Sequence, residues 1–121
     1  MQAKQTLLSI AGATLAALLL AMPLSAHQGK TGTTPADGAT VQGSPAEIGI
    51  EFDGAMRITQ FEVTGPDGRV SLAKDSGSGL AERYVVEPAG ALPTGDYQVR
   101  WRGLSGDGHM MSGGFDFTVE D

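Results

Sequence analysis

Two histidines are all this chain has, and each stands where its side chain can meet a ligand. His109 belongs to SGDGHMMSG, residues 105–113, in which Asp107 and His109 flank a glycine in a turn just ahead of a strongly alternating segment. A carboxylate and an imidazole on either side of such a turn can be aimed at a common point. His27 lies far away, at the end of an apolar leader. What it can do depends on whether that leader is removed.

Residues 1–26 read MQAKQTLLSIAGATLAALLLAMPLSA. Lys4 supplies a short basic head, Leu7 to Met22 an apolar run, Pro23 a breaker, and Ser25 and Ala26 small residues at a cleavage point. The apolar run is about 16 residues, short of the roughly 20 that span a bilayer. It ends in Pro23 and small residues, not in flanking Lys or Arg. The expectation is a secretory signal peptide cut after Ala26, with no membrane insertion of what remains. Leu24, third before the cut, departs from the small-residue pattern, so export is better specified than the exact bond.

Cleavage there leaves one domain, residues 27–121, whose first residue is His27. An N-terminal histidine offers two nitrogens, its α-amine and ring Nδ1, which close a six-membered chelate ring around one metal ion without help from the fold. His109 adds a third nitrogen and Asp107 an oxygen. A nitrogen-rich, roughly planar set with a carboxylate favours Cu(II), which also heads the affinity order of divalent ions. Zn(II) accepts the same donors but prefers a tetrahedron, and stands second.

Composition narrows the partners. The whole chain carries a formal charge of −6, and losing Lys4 with the leader makes the remainder more acidic still. Nucleic acid and anionic membrane are poor partners on charge grounds, whereas cations are better ones. With no cysteine in the chain, there is neither a disulfide framework nor a thiolate to act as nucleophile or soft ligand.

The elements that must position these residues are strands. In EIGIEF, Ile48, Ile50 and Phe52 share a face; in RVSLA, Val70 and Leu72 do; in RYVVE, the choice between Tyr84 with Val86 and Val85 alone stays open. YQVRWRG sets Tyr97, Val99 and Trp101 against Gln98, Arg100 and Arg102, and FDFTV turns Phe115, Phe117 and Val119 inward. MRITQFEV changes phase between Ile58 and Phe61, as a β-bulge would make it. GPDG, residues 65–68, reads as a tight turn and DSGSG, residues 75–79, as a loop. Leu92, Gly95 and Tyr97 in LPTGDYQV have the spacing of a tyrosine corner. Together these predict an all-β fold, a single Greek-key barrel or sandwich of the immunoglobulin or cupredoxin kind with about seven strands.

The arrangement of His27, then TTPADGATV, EIGIEF and LPTGDYQVRWRGLSGDGHMMSGGFDFTV, resembles the CopC family of exported copper-binding proteins. The W-R, S-x-D-G-H and S-G-x-F-x-F elements between Leu92 and Val119 carry the likeness most specifically. The resemblance implies a Greek-key β-barrel and a Cu(II) site formed by His27, Asp107 and His109. It also implies a role in periplasmic copper sequestration, resistance and homeostasis, with an inner-membrane copper-uptake protein of the CopD type as partner and no catalysis.

Two departures qualify the likeness. Many members of that family place a glutamate two positions after the phenylalanine matching Phe52, where this chain has Gly54; Asp53 beside it either reaches the metal or forms a turn. Some members carry a methionine-rich Cu(I) loop, and the matching region, Gly65 to Leu80, contains no methionine, so no such loop site is expected. Met56, Met110 and Met111 read as packing residues, or else Met110 or Met111 lies close enough to His109 to stabilise reduced copper.

Three function classes follow. A copper carrier or buffer needs a free His27 amine. A copper redox enzyme, of the kind that uses an N-terminal histidine to cleave polysaccharides, is disfavoured by an aromatic content of 6% and by Asp107 as an extra anionic donor. A metal-free immunoglobulin-like interaction module would leave both histidines incidental.

Overall fold

The alternating runs become strands, and alternation decides which side of each strand is covered. A computed structural model describes residues 30–121; His27 and the leader expected over residues 1–26 lie outside the described residues. The order is β1 (Lys30–Thr34), β2 (Ala39–Gln42), β3 (Ile48–Gly65), β4 (Gly68–Arg69), β5 (Leu72–Asp75), β6 (Ala81–Pro88), β7 (Gly95–Ser105) and β8 (Met110–Glu120). Eight strands thus stand where about seven were expected. Among the described residues no helix is long and apolar enough to cross a membrane.

The strands form one curled sheet, in the order β2-β8-β7-β3-β6-β5, with β1 and β4 also paired to β3. The pairing of β2 with β8 is parallel, and the other pairings are antiparallel. Because β3 lies between β6 and β7, the link from β6 to β7 must cross the end of the barrel, which gives the Greek-key path. The tyrosine corner sits at that crossing: Tyr97 Oη donates to the Pro93 carbonyl at 2.5 Å. Next to it, the Leu92 amide donates to Ser44 Oγ at 2.8 Å, tying the arch to the loop between β2 and β3.

The inward faces named from the sequence form the core. Ile48, Ile50, Phe52, Val63, Val86, Tyr97, Val99, Trp101, Phe115, Phe117 and Val119 are all buried in one cluster. Tyr97 stacks on Phe117 with ring centres 5.2 Å apart, and Phe52 meets Trp101 edge-on at the same spacing. The open choice in β6 is settled: Val86 is in the core with Tyr84 packed against it. Val85 is buried on the other side, in a surface groove with Lys74 and Arg83.

β3 departs most from the sequence reading. EIGIEF and MRITQFEV are halves of one 18-residue strand, so Asp53 is a strand residue and not a turn former. The first half lies between β1 and β6, while the second pairs with β7. The strand changes neighbours across Asp53 to Ala55, where its register with β6 slips. The bulge expected near Ile58 is present as a register shift against β7 between Ile58 and Gln60. GPDG closes as expected, with Gly65 paired to Gly68.

Candidate metal centre

The turn joining β7 to β8 carries Asp107 and His109. The two strands are in register up to Leu104 opposite Met110, so the residues between them must reverse direction at once. Gly108 has φ of +88°, a left-handed conformation that costs a side-chain-bearing residue about 1–2 kcal/mol. The backbone closes through the Gly108 amide on the Ser105 carbonyl and the Ser105 amide on the His109 carbonyl, both 2.9 Å.

Within this frame one carboxylate oxygen organises the loop. Asp107 Oδ1 accepts from the Ser105 hydroxyl and from the His109 amide at 3.3 Å, and lies 3.0 Å from His109 Nδ1. The amide contact, two residues along the chain, is an Asx turn. Hydrogen bonds, first from Ser105 and then from His109, hold the Asp107 carboxyl below its ordinary pKa. The acid is therefore ionised at neutral pH, with the imidazole of His109 beside it. Both side chains remain open to solvent, 67% exposed for Asp107 and 79% for His109.

These residues rim a cavity of about 650 Å³, whose lining also includes Asp53, Gly54, Met56, Met110 and Met111. The neighbour change in β3 thus brings Asp53 to the same cavity as the hairpin. Asp107 and His109 are brought together; His27, the third expected ligand, lies outside the described residues. Among the described residues no set of three His, Cys, Asp or Glu side chains is close enough to hold a metal ion. Ser105 is the residue that motif reading passed over. Its signal was present in the serine two positions before the aspartate, a spacing that favours local hydroxyl–carboxylate bonding.

The donor chemistry fits a borderline divalent ion. Two ligands bound about 2.0–2.2 Å from one metal at a right angle stand roughly 3 Å apart, and Nδ1 and Oδ1 have that separation. An ion held at this edge would be bound by the His109 imidazole and the Asp107 carboxylate.

Fold and site together define a class: a small Greek-key β-barrel that presents an imidazole and a carboxylate in one exposed hairpin. Within that class the chain belongs to the CopC family, because the CopC domain model matches residues 30–120. It is 31% identical over 115 residues to Copper resistance protein C of Pseudomonas syringae pv. tomato, covering 87% of this chain and 90% of that one. The protein of the same name from Xanthomonas campestris pv. juglandis is 30% identical over 116 residues, covering 88% and 90%. Among solved structures, PcoC, a methionine-rich copper resistance protein from Escherichia coli, superposes with a TM-score of 0.64 at 27% identity, covering 78% of this chain and all of that one. CopC from Methylosinus trichosporium OB3b gives 0.66 at 24% identity, covering 78% and 94%, a likeness of fold.

Proposed function

We propose that this protein is exported to the periplasm, loses residues 1–26, and there binds Cu(II) as a carrier or buffer in copper resistance and homeostasis. The ligands are the α-amine and ring of His27, the imidazole of His109 and the carboxylate of Asp107. The mature domain is residues 27–121. It hands copper on, to a membrane uptake protein of the CopD type, and catalyses no reaction. Belonging to a family whose named relatives are copper resistance proteins favours this reading over a metal-free interaction module.

The observation that carries it is the 3.0 Å edge between His109 Nδ1 and Asp107 Oδ1 on an exposed hairpin. Strand direction supports the remaining ligand. β1 runs antiparallel to β3 with Lys30 opposite Phe52, and the next residues along β3, Asp53 and Gly54, line the cavity. Continued in that direction, the three residues from Lys30 back to His27 would span at most about 10 Å, toward the side of the barrel where Asp53 and Gly54 line the cavity.

The test exploits the amine. Mature protein starting at His27 is expected to take up one Cu(II) ion, and the same protein with one residue added ahead of His27 to bind it far more weakly. Equal Cu(II) affinity in the two forms would overturn the reading.

A further inference from the structure

We propose that the same cavity is also a Cu(I) site, in which the thioethers of Met110 and Met111 hold the monovalent ion together with His109. This rests on reading the hairpin as copper-binding, and extends it to the oxidation state that amine and carboxylate donors serve poorly.

The chain has five methionines. Met1 and Met22 belong to the leader, and the other three, Met56, Met110 and Met111, all line this cavity. Packing accounts for two of them: Met56 is buried in the core and Met111 packs against it. It does not account for Met110, which is 64% exposed beside His109. A large apolar side chain held out in water beside an imidazole has forgone its burial energy, and a polarizable sulfur is what it offers there.

Gly103 of β7 deepens the sulfur-lined wall. It stands opposite Met111, and a Cβ at this position would lie 3.1 Å from Met56 Sδ. The space that a side chain at position 103 would fill is thus occupied by Met56, next to Met111. Thioether sulfur selects Cu(I), whereas imidazole, amine and carboxylate suit Cu(II). The hairpin therefore offers a distinct donor set for each oxidation state around one imidazole. No electron transfer is assigned to the protein; Cu(I) arrives already reduced.

The test is an anaerobic titration of mature protein with Cu(I) against the chelator bicinchoninate, beside a Cu(II) titration, with X-ray absorption of the Cu(I) form. In the M110L/M111L variant, Cu(I) affinity is expected to fall by at least the roughly tenfold that loss of even an outer partner costs a metal site. Sulfur bound to copper should disappear, and Cu(II) affinity should stay. Unchanged Cu(I) affinity overturns the proposal. Equal loss of both ions overturns it too, because the methionines would then be shaping the cavity without ligating.

The M110L variant alone, at an exposed position the core does not use, guards against a folding failure and should still lose one sulfur from copper. An unchanged sulfur count in that variant overturns the proposal. Extending the chain ahead of His27 separates the two readings, since it should weaken Cu(II) binding and leave Cu(I) binding intact. Cu(II) binding that survives the extension sinks the amine chelate, while Cu(I) binding lost on methionine replacement still upholds the thioether site.

Discussion

Asp107 Oδ1 is where the side-chain hydrogen bonds of the hairpin meet, and the Ser105 hydroxyl lowers its pKa most. The Ser105 hydroxyl is the largest cause of the lowered Asp107 pKa, so Ser105→Ala should return that pKa toward the ordinary carboxylate range. An NMR titration of the Asp107 carboxyl against pH measures this; an unmoved midpoint would mean that His109 alone sets it. The sign of the linkage follows from the direction of the shift. A carboxyl with a depressed folded-state pKa contributes its loop-ordering above its unfolded value, and the contribution is lost as pH falls through the folded one. At neutral pH that contribution is therefore fully present, and Ser105→Ala moves its loss to higher pH. The Asp-Gly-His motif could be read directly from the sequence. The use of Oδ1 for all three contacts could not, because it depends on how the loop closes.

At the scale of the element, the β7–β8 hairpin sets the two site side chains by backbone geometry. A Cβ added at Gly108 would meet nothing within 4 Å, so Gly108→Ala is opposed by the +88° φ alone. It should lower unfolding free energy by about 1–2 kcal/mol, measured by urea denaturation, and it should weaken metal binding by tilting Asp107 away from His109. A variant as stable as the parent would show that the loop has another conformation to adopt. The β3 strand teaches the converse lesson. Its halves were legible separately, since each alternates, but their continuity across Asp53 to Ala55 was not. An Asp-Gly pair ordinarily marks a turn. Here, tertiary pairing to β1, β6 and β7 overrides that local preference, and so moves Asp53 from a turn to the cavity.

For the molecule as a whole, stability must come from packing, because the chain has no cysteine. The described core is one cluster spanning strands on both sides of β3. Phe117, 1% exposed and stacked on Tyr97, joins β8 to the Greek-key arch. Phe117→Ala should therefore cost about 3–5 kcal/mol, seen as a fall in the denaturation midpoint with the slope unchanged. A loss under about 1 kcal/mol would mean that the core closes over the gap. Such a variant should lose the hairpin's order along with the barrel, since β7 and β8 supply both the core and the loop.

The sequence by itself determined the strands, their inward faces, the tyrosine corner and the Asp-Gly-His turn, because alternation and turn chemistry act over a few residues and are written in the order of side chains. Only the tertiary structure decided that β3 passes between neighbours as one strand and that Asp53 and three methionines line the cavity beside His109. Those facts depend on register between strands distant in the chain, which is fixed when the whole core packs and by no local run of residues.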